Sequence, residues 1–209
     1  MASLITGIDA ARVRANLERI RAELPPEVEI LAAVKYVPLE ELGTLAAAGI
    51  TLVGENRAQD LEAKAAAHPE LRWHFIGQLQ SRKVKQILPH VELIHSVASD
   101  SALRQLERHG TPETEILVEV NVAGEEGKAG IAPADLPRYL EQSPCKVVGL
   151  MTMPPYAEKR EDSRPYFARL AELAAEYGLP QLSMGTSQDY AVAAAEGATI
   201  VRIGTTLYT

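Results

Sequence analysis

Residues 29–56 read EILAAVKYVPLEELGTLAAAGITLVGEN and contain the pattern that the rest of the chain repeats. Two short runs rich in Val, Ile and Leu, at 29–35 and 51–56, flank a Leu- and Ala-rich segment of helical period. A strand, a helix and a second strand in this order are typical of a βαβ unit, in which the two strands are parallel. Because these apolar runs are nearly continuous, they indicate strands that are buried on both faces of a sheet.

Apolar runs of this kind recur along the whole chain. The predicted strands occupy residues 29–35, 51–56, 72–78, 92–97, 115–122, 146–153, 181–186 and 199–205. Each strand but the last is followed by a segment of helical period, at 39–49, 57–68, 81–89, 100–110, 134–142, 161–178 and 187–197. These units predict an α/β fold, a closed (β/α)8 barrel of the TIM type. The alternative is an open doubly wound sheet, but no GxGxxG motif follows the first strand.

An additional amphipathic helix is predicted at about residues 9–24, before Pro25 and Pro26. It has two possible places: it covers the floor of the barrel, or it replaces the helix that is missing after the eighth strand. No linker or low-complexity tract divides the chain, so a single domain over 1–209 is expected, with the barrel at about 29–208.

Composition excludes several classes of protein. The chain has 209 residues and a formal net charge of −7, which disfavours nucleic-acid binding because phosphate backbones are repelled. No apolar run approaches the roughly 18 residues that a membrane helix needs, and the first residues lack a secretion signal, so we expect a cytoplasmic protein without a membrane span. The single cysteine, Cys145, has no second thiol for a disulfide or a structural zinc site.

In barrels of this type the functional site lies at the carboxyl ends of the strands. The predicted strands carry many polar residues towards these ends. They are Lys35, Glu55, Asn56, His74, Gln78, His95, Glu119, Asn121, Thr152, Ser183, Thr186, Arg202 and Thr205.

Lys35 directly follows the apolar run ILAAV, which places it at the rim of a hydrophobic barrel. Desolvation there disfavours the ammonium form, and a neutral amine is what a lysine needs to act as a nucleophile toward a carbonyl. The alternative is a rim lysine that extends to water without a chemical role.

The ends of strands seven and eight combine glycine with hydroxyl residues, in SMGTSQDY (183–190) and TIVRIGTTLY (199–208). Barrels commonly build a phosphate site there from loop amides and a helix start. Ser187 is expected to begin the last helix, and Gly204 and Thr205 close the last strand. Ordinary turn chemistry explains each residue singly, so both interpretations stay open.

Two kinds of buried polar side chain have more than one interpretation. Arg202 alternates with apolar neighbours and faces either the barrel mouth or a surrounding helix, with a ligand or Glu119 as its partner. His74 and His95 are interpreted as structural histidines rather than metal ligands, because no carboxylate or second histidine lies at a helical metal spacing. No metal site is therefore predicted.

Seven segments, in their order and spacing, closely resemble the pyridoxal phosphate homeostasis proteins, the YggS/PROSC family. They are LAAVKYVP, GENRAQD, WHFIGQLQSRK, EVNVAGEEGKAGI, GLMTMPP, LSMGTSQDY and VRIGTTLY. The resemblance covers about residues 9–208. The chain departs from the family pattern at Arg57, at Arg82 and at its last residues, LYT, where the family continues through FG and an arginine.

The resemblance implies a barrel of the alanine racemase N-terminal type that binds pyridoxal 5′-phosphate (PLP). Lys35 would hold PLP as an internal aldimine, Asn56 would lie near its ring, and Arg202 would face the pyridine nitrogen. The residues that would hold the phosphate are Ser187, Gly204 and Thr205. Three more residues would line the same mouth: His74, Met184 and Gly185.

The function that the resemblance implies is PLP homeostasis, with PLP buffered and delivered to PLP-dependent apo-enzymes by a monomer or weak homodimer that has little or no catalysis. An arginine at the pyridine nitrogen fits this, because an unprotonated nitrogen is a weak electron sink. The alternative is an amino-acid racemase. A racemase needs a second acid or base, which related racemases take from a separate β domain. We expect no such domain here, because the predicted barrel uses the whole sequence. Tyr36, Tyr156 or Tyr208 could take the place of that acid or base. A metal-dependent hydrolase is disfavoured by the lack of paired ligands.

Overall fold

The computed structural model describes residues 4–209 and contains a closed barrel of parallel strands, as the sequence predicts. The strands are β1 (Glu29–Ala33), β2 (Leu52–Glu55), β3 (Arg72–Phe75), β4 (Leu93–Val97), β5 (Glu115–Glu119), β6 (Lys146–Met151), β7 (Gln181–Thr186) and β8 (Ile200–Ile203). Each strand pairs with the next one in the chain, and β8 returns to pair with β1. The open doubly wound alternative is thereby excluded.

Helices surround this barrel. They are α1 (Ala10–Ala22), α2 (Leu42–Ala47), α3 (Ala58–Ala67), α4 (Val84–Ile87), α5 (Asp100–His109), α6 (Leu136–Gln142), α7 (Arg164–Glu176), α8 (Tyr190–Ala195) and α9 (Thr205–Tyr208). Within residues 4–209, no helix has the length and apolar character needed to cross a membrane.

The N-terminal helix α1 lies in the helix layer beside α2 and α9. The Asp9 carboxylate caps its start by accepting a hydrogen bond from the Ala11 amide at 2.8 Å. Arg14 donates to the Ala47 carbonyl of α2 at 2.8 Å, and Asn16 donates to the Leu207 carbonyl of α9 at 3.2 Å. Of the two places that the sequence left open, α1 therefore takes that of the helix expected to be missing after the eighth strand, and it does not cover the barrel floor. The sequence predicts no helix after that strand, but the short α9 follows β8.

The apolar residues form two separate cores. The inner core fills the barrel with Leu31, Leu52, Leu93, Leu117, Val148, Met151 and Ile200. The larger outer core lies between the strands and the helices and includes Ile30 and Ala32 of β1. Because side chains of a strand alternate between its two faces, this division also determines which polar residues reach the barrel mouth.

Candidate functional site

A cavity of about 500 Å³ opens at the carboxyl ends of the strands. Five of the nine residues that the sequence analysis assigns to a PLP site line it. They are Lys35, Asn56, Arg202, Gly204 and Thr205.

Strand alternation explains how Lys35 reaches the cavity. Leu31 belongs to the inner core, Ala33 lines the cavity two residues later, and Lys35 follows on the same face just beyond the end of β1. The side chain is half-buried at the rim, and its ammonium nitrogen lies 4.9 Å from the centre of the Tyr36 ring. The amine is thus held at the mouth within reach of a ligand in the cavity.

Arg202 follows the same rule on β8, where Ile200 belongs to the inner core. Its guanidinium donates to the Ser183 carbonyl at 2.9 Å, to Ser183 Oγ at 2.6 Å and to the Thr152 carbonyl at 2.9 Å. The sequence left open whether Arg202 faces the mouth or a helix, and the structure places it at the mouth. Its acceptors are these two residues together with Met153 Sδ rather than Glu119.

The cavity lining is cationic although the whole chain is acidic. It contains the side chains of Lys35, Lys128 and Arg202 against one carboxylate, that of Glu119. Burial raises the pKa of Glu119, an effect that the nearby Arg202 opposes. Burial also lowers the pKa of Arg202 to about 10, so the guanidinium remains a cation at neutral pH. This lining suits an anionic ligand.

Ser187 lies next to the cavity but does not cap a helix. Its hydroxyl accepts a hydrogen bond from the Gly204 amide at 3.1 Å, which joins the loops after β7 and β8. Helix α8 begins later, at Tyr190, and Asp189 accepts hydrogen bonds from the Thr186 amide at 2.7 Å and the Thr186 hydroxyl at 3.1 Å. The expectation that Ser187 begins the helix is wrong, because a turn closed by Asp189 comes first.

Three residues that the sequence analysis places at the mouth do not line the cavity, and the structure corrects these positions. Met184 is fully buried in the outer core. Gly185 (φ +89°) faces α8, because a Cβ atom there would lie 2.5 Å from Ala193 Cβ. The pairing of β7 with β8 shifts register after Ser183, which breaks simple alternation at this strand end. His74 lies deeper in the barrel, below the cavity.

His74 belongs to a polar chain inside the barrel. Its Nδ1 lies 2.9 Å from His95 Nε2, and His95 Nδ1 lies 2.8 Å from Ser183 Oγ, which also accepts from Arg202. Burial, with Arg72 nearby, lowers the pKa of His74 to about 3. Burial, with His74 and Arg202 nearby, also lowers the pKa of His95. Both rings are therefore neutral at physiological pH, and each is hydrogen-bonded as a structural histidine.

Of the three tyrosines that the sequence offers as a second acid or base, Tyr36 and Tyr208 line the cavity, whereas Tyr156 is 83% exposed and does not.

Lys128 also lines the cavity, and the sequence analysis did not identify it. It reaches the mouth because the chain folds back after β5, where the Asn121 amide donates to the Ile131 carbonyl at 2.9 Å. Glycines with positive φ at 124, 127 and 130 are the sequence signal of that return.

Comparisons with known proteins point to one family. Residues 8–209 match the family model described as alanine racemase, N-terminal domain. A curated pyridoxal phosphate homeostasis protein of Aquifex aeolicus is 44% identical over 195 residues, which cover 86% of each chain. The solved structure of PipY from Synechococcus elongatus with PLP bound is 33% identical, with a TM-score of 0.82, and the match covers 94% of this chain and 100% of that one. An alanine racemase of Clostridium difficile shares the fold, with a TM-score of 0.73 at 14% identity over 96% of this chain and 57% of that one.

Proposed function

The chain belongs to the alanine racemase N-terminal domain family and, within it, to the pyridoxal phosphate homeostasis proteins, and from this premise we propose that it binds PLP in the barrel cavity. Its role is to buffer PLP and to deliver it to PLP-dependent apo-enzymes. The observation that carries the proposal is one cavity lined by Lys35, Arg202 and Gly204, with Ser187 bonded to Gly204 at its edge. PLP carries an aldehyde, a pyridine nitrogen and a phosphate, and each of these groups has a partner there.

We assign the covalent link to Lys35. Its amine would hold PLP through a covalent carbon–nitrogen link to the aldehyde carbon, with the aldehyde oxygen released as water. The half-buried position at the mouth lets the amine meet an aldehyde inside the cavity. Asn56 would contact the ring, and Ser187, Gly204 and Thr205 would hold the phosphate.

Arg202 supports a carrier rather than a catalyst of carbanion chemistry. A guanidinium only donates hydrogen bonds, so facing it the pyridine nitrogen accepts and stays unprotonated. An unprotonated ring withdraws electrons less strongly than a protonated one, and a carbanion formed next to it is poorly stabilised.

Racemisation is the second candidate, because two tyrosines, Tyr36 and Tyr208, line the cavity. The Tyr208 hydroxyl donates to the Ala33 carbonyl at 3.0 Å, and burial raises its pKa, which makes it a poor base at neutral pH. The ring of Tyr36 lies beside the Lys35 ammonium group. Tyr36 is therefore the residue that a racemase would use.

PLP titration followed by borohydride reduction tests the covalent link. The wild-type protein is expected to gain near-visible absorbance and to carry the reduced cofactor on the Lys35 peptide in mass spectrometry. Lys35→Ala should lose both signals, whereas Lys128→Ala, which removes the other lysine of the cavity, should keep both. A wild-type protein that stays colourless with PLP, or label that persists in Lys35→Ala, would contradict the proposal.

Deuterium exchange separates the carrier from the racemase. The PLP-loaded protein is incubated with single L-amino acids in deuterated water, and exchange at Cα is followed by NMR. We expect no exchange above that of free PLP at the same concentration. Rapid exchange that disappears in Tyr36→Phe would favour the racemase.

Delivery and location complete the proposal. We propose a cytoplasmic monomer or weak homodimer that passes PLP to apo-enzymes. The apo form of a PLP-dependent enzyme should regain activity with the loaded protein even when free PLP is trapped by a carbonyl reagent. Reactivation that stops when the trap is added would show simple release and count against direct delivery.

A further inference from the structure

A buried ion pair lies behind the wall of the cavity. Glu55 at the end of β2 is fully buried, and Lys64 of α3 is 6% exposed. The Lys64 ammonium nitrogen lies 2.6 Å from Glu55 Oε2. Neither residue lines the cavity, because Glu55 faces the helix layer while its neighbour Asn56 faces the mouth.

The pair is hydrogen-bonded to the backbone at the ends of two neighbouring strands, β1 and β2. Lys64 also donates to the carbonyl of Val34, the residue before Lys35, at 2.7 Å. The other carboxylate oxygen, Glu55 Oε1, accepts from the amides of Asn56 at 2.6 Å and Arg57 at 3.1 Å. One ion pair thus connects the ends of β1 and β2 at the points where Lys35 and Asn56 leave the sheet.

Stability alone is a weak reason for such a pair. The free energy needed to remove two charges from water offsets much of the free energy gained from their attraction. Apolar residues of similar volume often stabilise a fold equally well. The geometry supplies a better reason. Three hydrogen bonds fix the backbone of Val34, Asn56 and Arg57, beside or within two proposed cofactor residues. A group that reacts with a bound ligand depends on exact placement.

We propose that Glu55 and Lys64 are positioning residues, which hold the backbone of Val34, Asn56 and Arg57 so that Lys35 and Asn56 point into the cavity in one fixed arrangement. This inference rests on the proposed function for its link to PLP. The placement of the backbone is independent of that function and can be measured without PLP.

The decisive variant is the double substitution Glu55→Gln/Lys64→Met. It removes both charges together, so no buried charge is left unpaired, and the amide oxygen of the introduced glutamine can still accept from the Asn56 amide. The hydrogen bond to Val34 is lost. Lys64→Arg is the conservative variant that retains a charged donor. The exposed pair Lys146–Glu115, 2.7 Å apart at the opposite end of the barrel, provides the control Glu115→Gln/Lys146→Met.

Hydrogen–deuterium exchange of the PLP-free proteins is the first measurement. In Glu55→Gln/Lys64→Met, peptides covering 34–38 and 54–58 should exchange about tenfold faster, while a peptide from β5 exchanges as in the wild type. The control variant should leave 34–38 and 54–58 unchanged. Equal acceleration in all peptides would mean a global loss of stability and would overturn the inference.

Cofactor binding is the second measurement. The double variant should form the covalent link about tenfold more slowly than the wild type and show a changed circular dichroism signal in the cofactor band, because the ring is held in a different orientation. Lys64→Arg should recover part of the rate. Wild-type rate and signal in a folded double variant would overturn the inference. If the wild type itself binds no PLP, the proposed function fails, and the exchange data alone decide the positioning role.

Discussion

Arg202 lies where the barrel interior meets the cavity, and its hydrogen bonds fix the position of its guanidinium group. Ser183, Thr152 and Met153 accept hydrogen bonds from both terminal nitrogens of the guanidinium and so hold it at the cavity lining. Although burial lowers its pKa to about 10, the group stays charged over the physiological range. Two residues further along the chain, the Gly204 amide donates to the Ser187 hydroxyl. Under the proposed function, Arg202 would face the ring of PLP, and Ser187 and Gly204 would contact its phosphate.

Ser187→Ala tests the phosphate end. The hydroxyl is expected to donate to the phosphate, and a hydrogen bond to a charged group contributes about 1.5 kcal/mol, so PLP affinity should fall about tenfold. Pyridoxal, which carries the same aldehyde without the phosphate, is the matched ligand and should bind the wild type and the variant equally. Absorbance titrations with both ligands measure the effect. An equal loss for PLP and pyridoxal would contradict this assignment.

At the scale of the elements, the ends of the strands are what the sequence predicts least well. Periodicity predicts the order and type of the long elements, but several predicted strands are too long at their carboxyl ends. The first is predicted to end at residue 35 and ends at Ala33, and the eighth is predicted to end at residue 205 and ends at Ile203. Several residues beyond the observed strand ends line the cavity, among them Lys35, Gln78 and Met153. The same alternation predicts the direction of Lys35 and Asn56, whereas the register shift of β7 makes it fail at Gly185.

Long-range partners are the other part that the sequence does not predict. Glu55 is recognisable in the sequence as a polar residue at a strand end, but the sequence around it does not indicate that Lys64 is its partner. One signal exists in the helix itself: Lys64 shares the face of Leu61, which is buried, and a lysine on an apolar face needs an acidic partner. His74 and His95 lie on the neighbouring strands β3 and β4, whereas the contact of His95 with Ser183 joins β4 to β7, 88 positions apart, across the barrel.

Two glycines show how strand packing supports the site. A Cβ atom at Gly77, after β3, would lie 2.1 Å from the Asn56 carbonyl oxygen, and one at Gly149 in β6 would lie 2.0 Å from the Gln181 carbonyl oxygen. Both Gly77→Ala and Gly149→Ala should lower the free energy of unfolding by about 1–3 kcal/mol through overpacking. Only Gly77→Ala should also weaken PLP binding, because it displaces Asn56.

Urea denaturation and PLP titration of the two glycine variants check this expectation. Gly149→Ala is the matched control, since Gly149 and Gln181 lie outside the cavity lining. Equal PLP affinity in both variants would mean that the position of the Asn56 backbone does not matter for binding.

At the scale of the whole molecule, charge is distributed unevenly. The chain carries a net charge of −7, yet its cavity presents three cations and one carboxylate. The net charge repels an anionic ligand while the cationic cavity lining attracts it, which favours entry at the carboxyl ends of the strands. The barrel below this cavity is closed by the apolar inner core and by the chain from Arg202 to His74. Arg202 therefore belongs both to the cavity lining and to the buried polar chain of the barrel.

The buried histidines should make the whole barrel sensitive to acid. The pKa of His74 falls from 6.5 to about 3 on folding, so between these values the unfolded chain binds more protons. The stabilising effect of the neutral ring is complete above pH 6.5 and is lost as the pH falls towards 3, by at most about 1.4 kcal/mol per pH unit. His95, whose pKa is also lowered, acts in the same direction. Urea denaturation of His74→Asn between pH 7 and 4 should show a shallower loss of stability than the wild type, with the exposed His109→Asn as control. Parallel curves for wild type and His74→Asn would mean that the ring is not held neutral by the barrel.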